Sequence, residues 1–148
     1  MDKVIVRRFK PGDLNQLLDC WEKSSRLAHP FLSDEFIAEE RRNIPEIYMP
    51  PAETWVTELD ATVTGFIALI ENEIGGLFVD PSLHRSGLGT QLLRKAIELR
   101  GDLEVDVFEL NPIGRKFYEK HGFEYVSESV FERTGDKVLR MMRSNATG

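Results

Sequence analysis

The ten residues from 84 to 93, HRSGLGTQLL, place two glycines and two hydroxyl side chains where a strand gives way to a helix. Residues 74–79 form a short apolar run, which is typical of a buried strand, and apolar residues recur at helical spacing from Leu88 onward. The first turn of a helix leaves backbone N–H groups without partners and carries roughly half a positive charge. Glycine lets a ligand approach such a backbone closely. The segment therefore predicts a strand–loop–helix unit whose helix start can bind an anion.

The elements around this segment follow from apolar periodicity and from turn residues. Strands are predicted at residues 4–9, 54–59, 62–70, 74–79, 103–108, 123–131 and 137–143. Helices are predicted at residues 14–25, 34–48, 87–100 and 112–121, with Pro45 interrupting the second. The order β-α-α-β-β-β-α-β-α-β-β predicts an α/β fold around one mixed central sheet. Residues 1–143 are expected to form a single domain, followed by a short tail at residues 144–148.

Single positions mark where these elements begin, bend or pair. Asp13 and Ser33 are the predicted N-caps of the first and second helices. Residues 26–32, between those helices, are predicted to be non-helical. The adjacent glycines at 75–76 predict a bulge in their strand. Residues 137–143 are predicted to form a hairpin with the preceding strand and to offer an exposed edge that a second copy could use.

Composition limits the classes of protein to which the chain can belong. Its formal net charge of −6 argues against broad nucleic-acid binding, because that requires a basic surface. The only cysteine, Cys20, lies among apolar residues and predicts a buried small side chain rather than a nucleophile. The first residues lack the pattern of a signal peptide, and no apolar run is long enough to span a bilayer. We therefore expect a cytoplasmic protein without membrane association, and no metal site, because the three histidines lack ligand spacing.

Two segments resemble the sequence motifs of one enzyme family. The segment LFVDPSLHRSGLGTQLL (77–93) lacks the third glycine of a Rossmann loop and the Gly-Lys-Ser/Thr of a P-loop. It resembles instead motif A of the GNAT superfamily of N-acetyltransferases, with glycines at both small positions. The segment NPIGRKFYEKHGF (111–123) resembles motif B of the same superfamily. Tyr118 stands at the tyrosine position of that motif, and Gly114 stands where alanine is usual.

The resemblance implies the GNAT (acyl-CoA N-acyltransferase) fold, in which the fourth and fifth strands splay apart, and acetyl-CoA as the co-substrate. Backbone N–H groups at the helix start would bind the pyrophosphate, and the pantetheine arm would lie in the gap, with a backbone N–H for the acetyl carbonyl. His84 stands where Arg or Gln is usual in the family, which leaves open whether His84 or Arg85 contacts the pyrophosphate. We expect Arg85, because it is charged at every pH. The predicted cofactor-binding residues are Leu77, Phe78, Val79, His84, Arg85, Ser86, Gly87, Leu88, Gly89, Thr90 and Asn111.

The resemblance also implies the catalytic groups. Tyr118 is the predicted general acid that protonates the departing thiolate, because a phenol with a pKa of about 10 stays protonated at neutral pH. Glu73 is the predicted base that accepts the proton of the amine. Glu71, Glu109 and water are the alternatives to Glu73.

The acceptor is expected to bind beside the loop between the first two helices. His29 and Phe31 are the predicted acceptor-binding residues; the alternative is that Phe31 belongs to the core and His29 to a helix boundary. The predicted function is transfer of the acetyl group of acetyl-CoA to a primary amine of a small molecule, peptide or protein, by a monomer or homodimer. The alternatives are a non-catalytic acetyl-CoA sensor and an interaction domain in which the glycines only form a turn.

Overall fold

In the computed structural model, which describes residues 3–144, strands and helices follow one another in the predicted order. The strands are β1 (Val4–Arg8), β2 (Glu53–Leu59), β3 (Thr62–Ile70), β4 (Glu73–Val79), β5 (Leu103–Phe108), β6 (Glu124–Phe131) and β7 (Asp136–Arg143). The helices are α1 (Leu14–Ala28), α2 (Asp34–Asn43), α3 (Leu88–Arg100) and α4 (Pro112–Lys120). Residues 145–148 of the predicted tail lie outside the described residues.

The strands form one mixed sheet in the order β1-β2-β3-β4-β5-β7-β6, which confirms the predicted α/β fold. Neighbouring strands are antiparallel except β4 and β5, which are parallel. The predicted hairpin of the last two strands is confirmed, but the prediction that residues 137–143 form an exposed edge is wrong. β5 pairs with one side of β7 and β6 pairs with the other, so β6 is the edge strand at this end of the sheet.

Helices cover both faces of the sheet because alternate strand residues point to opposite sides. On one face, Leu92 and Leu93 of α3 belong to the same apolar core as Ile67 of β3. On the other face, Leu17 of α1 belongs to the same core as Phe66. The predicted apolar side of α3 is therefore confirmed, and the sheet separates α1 and α2 from α3 and α4.

Helix α1 extends to Ala28 and so includes three residues that the sequence predicted to be non-helical. Arg26 lies in this extension, where its guanidinium donates to Glu22 one turn earlier at 3.2 Å and to Asp34 at the start of α2 at 2.8 Å. The helix ends shortly before Pro30, which has no N–H to continue it.

The two predicted N-caps have different outcomes. Ser33 caps α2, because its hydroxyl accepts the backbone N–H of Phe36 at 3.1 Å. Asp13 lies at the N-cap position of α1, as predicted, but its side chain forms no capping hydrogen bond with the helix. Arg7 donates to both carboxylate oxygens of Asp13 at 2.9 Å, and the backbone N–H of Lys10 donates at 2.8 Å. An ion pair with β1 has therefore taken the carboxylate away from the helix.

Two backbone irregularities, a π turn and a β-bulge, interrupt the regular elements. Pro45 interrupts the second helix as predicted, and the chain continues from α2 as one wide π turn at Ile44–Tyr48. In β4 the predicted bulge is confirmed: β3 pairs with Gly76 and then with Ile74, which leaves Gly75 as the extra residue.

Candidate functional site

Strands β4 and β5 pair only where they begin. Their register contains Glu73 opposite Glu104 and Ile74 opposite Val105, and beyond these two pairs the strands diverge. Two cavities, of about 410 and 480 Å³, meet at the resulting gap. Both are lined by the same five residues: Leu77, Phe78, Asn111, Gly114 and Tyr118. The predicted divergence of β4 and β5 therefore lies where the two cavities meet.

The smaller cavity, which we call the helix-start cavity, lies against the loop after β4 and the first turn of α3. The structure places ten of the eleven predicted cofactor-binding residues in its lining: Leu77, Phe78, Val79, His84, Arg85, Gly87, Leu88, Gly89, Thr90 and Asn111. Ser86 is the residue that does not line it. Both the backbone N–H and the hydroxyl of Ser86 donate to the carbonyl of Leu83, so neither is free to bind an anion.

The start of α3 presents the backbone donors that the sequence predicted. Gly87 is its N-cap, with a φ of +84° that glycine adopts without strain. The backbone N–H of Gln91 donates to the carbonyl of Gly87 at 3.1 Å and closes the first turn. The N–H groups of Leu88, Gly89 and Thr90 precede that bond and therefore have no acceptor within the helix. Three amides at the positive end of the helix dipole form a site suited to a phosphate group.

The two cationic candidates in the preceding loop have different surroundings. His84 is half-buried, and its Nε2–H donates to the carbonyl of Val79 at 3.1 Å. The Ser24 hydroxyl of α1 donates to the same carbonyl at 2.6 Å. Arg85 is exposed and makes no hydrogen bond or ion pair with any of residues 3–144. Its guanidinium is thus available to a ligand in the helix-start cavity, whereas the His84 ring is already engaged.

Gly89 has a packing role as well as a place in the cavity. A Cβ atom at this position would lie 3.1 Å from Cε1 of the Phe117 ring on α4, which is closer than ordinary van der Waals contact. Next to this contact, Thr90 Oγ1 of α3 and Nε2 of His121, which follows α4, share a hydrogen bond of 3.2 Å. The glycine therefore lets α3 begin directly against α4, which brings the helix start towards Tyr118.

Tyr118 lies where the two cavities meet. The residue is 7% exposed, and its ring packs edge-on against Phe117 and Phe123 at centroid distances of 5.3 and 5.1 Å. Its hydroxyl forms no hydrogen bond with any of the described residues 3–144. Burial raises the pKa of this phenol above its usual value. Tyr118 therefore holds a proton at the gap between the strands, with no protein acceptor for it.

Asn111 connects Tyr118's helix to the loop between α1 and α2. Its Oδ1 accepts the backbone N–H of Gly114 at 3.0 Å and so caps α4. Its Nδ2 donates to His29 Nε2 at 3.2 Å, which makes that ring nitrogen an unprotonated acceptor. Gly114 makes room for this arrangement, because a Cβ there would lie 2.6 Å from Asn111 Nδ2. Glycine in place of the family's alanine thus fits the contact between Asn111 and His29.

The larger cavity, which we call the sheet-face cavity, lies between the sheet and the elements α1, α2 and the π turn. Its aromatic lining is Trp21, Phe36, Tyr48, Phe66, Phe78, Phe108, Tyr118 and Phe131. His29 also lines it, and burial lowers the pKa of the His29 imidazole to about 4, so the ring is neutral at physiological pH. Phe31 does not line it; its ring packs against His29 at 5.7 Å and Phe108 at 5.3 Å.

The predicted base lies at the closed end of the gap. The Glu73 carboxylate accepts a hydrogen bond of 2.8 Å from Arg140 of β7, whose guanidinium also binds Glu104 at 2.7 Å and Asp106 at 3.0 Å. Among the residues described, neither Glu73 nor its alternatives Glu71 and Glu109 line the two cavities. The structure therefore does not bring Glu73 together with Tyr118.

Sequence reasoning missed several residues of both cavities. Ser24, Phe117, Lys120 and His121 line the helix-start cavity. Lys120 and His121 follow Tyr118 in the second motif and could have been inferred from it, whereas Ser24 has no sequence signal. In the sheet-face cavity Glu40 was missed; its carboxylate accepts from Arg133 and from the Tyr48 hydroxyl. These contacts join elements far apart in sequence.

Two kinds of feature are absent from residues 3–144. No helix in this part of the chain is long and apolar enough to cross a bilayer. No group of three or more His, Cys, Asp or Glu side chains there is arranged to hold a metal ion.

Comparison with known proteins gives consistent matches over most of the chain. Residues 50–125 match the model of the acetyltransferase (GNAT) domain. The peptidyl-lysine N-acetyltransferase YjaB of Salmonella typhimurium is 31% identical over 134 residues, which cover 89% of this chain and 91% of that protein. The peptidyl-lysine N-acetyltransferase YiaC of Escherichia coli is 26% identical and covers 82% of this chain and 84% of its own.

Solved structures show the same fold. The apo form of YjaB from Escherichia coli superposes with a TM-score of 0.85 at 26% identity, over 97% of this chain and 99% of that one. The PaiA N-acetyltransferase of Thermoplasma acidophilum, solved in complex with coenzyme A, has a TM-score of 0.78 at 21% identity, over 93% of this chain and 98% of its own.

Proposed function

This chain belongs to the GNAT family of acetyltransferases, and from that premise we propose that it transfers the acetyl group of acetyl-CoA to a primary amine by direct attack. The observation that carries the proposal is the position of Tyr118, which lines both cavities at the gap between β4 and β5. One cavity has the donors for a diphosphate and the other has an apolar lining for an amine-bearing chain. A proton donor between them is where acyl transfer to the amine requires one.

On the donor side, the amides of Leu88, Gly89 and Thr90 would hold the pyrophosphate, with Arg85 as the cationic side chain. Each charge-assisted hydrogen bond contributes about 1.5–3 kcal/mol, so a few together can hold a diphosphate. The pantetheine arm would lie between the diverging strands and use backbone groups that β4 and β5 do not offer to each other. Tyr118 would then give its proton to the thiolate sulfur as the thioester bond breaks.

On the acceptor side, we propose that the amine is the side chain of a lysine in a peptide or protein. YjaB and YiaC are both named as peptidyl-lysine N-acetyltransferases, and the aromatic lining of the sheet-face cavity suits the alkyl part of a lysine. A lysine amine has a pKa of about 10.4, so removing its proton at neutral pH costs roughly 4–5 kcal/mol. The attacking nitrogen must be neutral, and the proton must leave before or during attack.

Acetyl-CoA should stabilise the protein against heat, because a ligand at about 100 times its dissociation constant adds about 2.7 kcal/mol to the free energy of unfolding. Replacing Arg85 with glutamate should raise the dissociation constant about tenfold, because it removes a cation and adds an anion beside the diphosphate. Thermal melts over a series of acetyl-CoA concentrations measure both effects.

The matched control is Arg42→Glu, which makes the same change of charge at an exposed position of α2 that lines neither cavity. We prefer Arg85 to Gly89 for this test, because a side chain at Gly89 would also push against Phe117. If the two variants bind acetyl-CoA equally well, the diphosphate does not lie beside Arg85. No stabilisation of the wild-type protein would contradict the donor site as a whole.

The role of Glu73 as the base stays a prediction. The role predicts that Glu73→Gln changes the acid limb of the pH–rate profile, because the amide that replaces the carboxylate cannot accept a proton. Steady-state rates over a range of pH, with wild type and variant compared at saturating amine, measure it. Glu104→Gln is the matched control, because it removes another carboxylate bound to the same Arg140. A profile that neither variant moves would assign proton removal to water or to another group.

A further inference from the structure

Thr54 carries a buried hydroxyl that the protein leaves unpaired. The residue lies on β2 with 5% of its surface exposed, and its Oγ1 has no hydrogen-bond partner among residues 3–144. The next buried threonine of the same strand is different, because Thr57 Oγ1 lies 3.0 Å from Thr64 Oγ1 and the two hydroxyls share a hydrogen bond. A buried hydroxyl without a partner costs free energy, so an unpaired one in an otherwise paired region points to a ligand.

Thr54 belongs to a row of small side chains across the sheet. Thr54 of β2 pairs with Ala68 of β3, which pairs with Gly76 of β4. All three residues line the sheet-face cavity, and their small size leaves the space that the cavity occupies. Neighbouring strands lie about 4.8 Å apart, so the hydroxyl is about 10 Å from β4, at the far side of the cavity from the gap.

Space also continues beyond Thr54. A third cavity, of about 350 Å³, lies on the outer side of the same residues, and Thr54, Met49 and Ala52 line both it and the sheet-face cavity. Thr54 therefore lies where the two spaces adjoin. A chain that enters the sheet-face cavity and places its amine at Tyr118 can extend its other end towards Thr54.

We propose that Thr54 Oγ1 binds a polar group at the far end of the acceptor, about two strand spacings from its reacting amine. The proposal rests on the proposed function, since it takes the sheet-face cavity as the acceptor site. A hydroxyl both donates and accepts, which suits the N–H or C=O of an amide. The chemical class is a primary amine on an alkyl spacer that ends in an amide, as in a lysine within a peptide. Simple alkylamines lack the group that Thr54 would bind.

Two probe amines separate the contribution of the amide from that of the alkyl chain. Nα-acetyl-lysine N-methylamide carries the amine, the spacer and two amides, and n-pentylamine carries the same amine and spacer without them. The wild-type protein should prefer the amide probe in kcat/KM. Thr54→Val keeps the shape of the side chain, and it should raise KM for the amide probe about fivefold by removing one neutral hydrogen bond. The preference should then fall by the same factor.

Thr57→Val is the matched control on the same strand. It removes a paired hydroxyl outside all three cavities, so it should lower the melting temperature and leave the preference unchanged. Thr54→Val should be at least as stable as the wild type, because it removes a buried polar atom that has no partner. If Thr54→Val keeps the preference of the wild type while both amines are turned over, the subsite is overturned and the transfer reaction stands.

A readout that needs no turnover separates the two proposals. In the presence of coenzyme A, Nα-acetyl-lysine N-methylamide should raise the melting temperature of the wild type more than that of Thr54→Val. If neither amine is acetylated but this difference is seen, the subsite stands and the proposed transfer fails. If the wild type shows no preference in turnover and no difference from Thr54→Val in the melts, the subsite is overturned.

Discussion

Replacing Tyr118 with phenylalanine should lower kcat by about 100-fold or more while the dissociation constant for acetyl-CoA stays the same. The substitution removes one oxygen and leaves the ring, which packs against Phe117 and Phe123. Without that hydroxyl the thiolate must take its proton from water, and general acids of this kind contribute about 10²–10⁴-fold to enzymatic rates. The melting temperature should not fall, because the hydroxyl has no hydrogen bond with the described residues to lose.

Stopped assays of thiol release measure kcat, and thermal melts with acetyl-CoA measure binding in the same preparations. Tyr125→Phe is the control, because that tyrosine is 57% exposed on the edge strand β6 and lines neither cavity. The defect should be the same at every pH at which the protein is folded, because burial keeps the pKa of Tyr118 above its usual value and the phenol stays protonated. A loss smaller than about tenfold would assign the proton to water and remove Tyr118 from the mechanism.

The order of strands and helices could be predicted over most of the chain, because the sequence signals for these elements are local. The alternation of apolar residues in β5, the glycine that begins α3 and the adjacent glycines of β4 each act through their own neighbours in sequence. The predicted bounds of β3 and β5 agree with the structure to the residue. The helix-start cavity was predicted for the same reason, because its donors are consecutive amides.

The predictions that differ from the structure concern contacts between residues that are separated in the sequence. The Asp13 carboxylate was expected to bind the first turn of α1 but binds Arg7, and the unpredicted last turn of α1 includes Arg26, which binds Asp34. Each depends on a charged partner that no local pattern identifies. The position of β7 inside the sheet depends in the same way on β5 and β6, which lie on either side of it.

The acceptor side was the least predictable part of the site. Thr54 is an ordinary strand residue in the sequence, and its hydroxyl becomes distinctive only because the tertiary structure leaves it buried and unpaired. Glu73 could be placed at the start of β4, but its ion pair with Arg140 depends on β7, which follows it by more than sixty residues. A cavity lined by five or more elements has no signature in any one of them.

Lowering the pH from about 7 to about 4.5 should destabilise the wild-type protein more than a His29→Gln variant, by on the order of 2 kcal/mol. Burial lowers the pKa of His29 from 6.5 to about 4 in the folded state. Between pH 6.5 and 4, His29 is therefore protonated in the unfolded chain but neutral in the folded protein. The free energy of unfolding falls as the pH falls through this range. Glutamine does not titrate, and its side-chain oxygen can accept the hydrogen bond that Asn111 now donates to His29.

Urea unfolding of wild type and variant at both pH values measures this difference. The contributions of carboxylates that titrate in the same range are equal in the two proteins and cancel. His121→Gln is the matched comparison. Burial also lowers the pKa of His121, and the charges of Lys120, Arg94 and Arg143 lower it further. Its ring is much less buried than that of His29, so the His121 variant should show a smaller difference. If His29→Gln loses as much stability in acid as the wild type, His29 is protonated in the folded state. The hydrogen bond from Asn111 would then be absent in acid, and with it the link between the loop after α1 and the cap of α4.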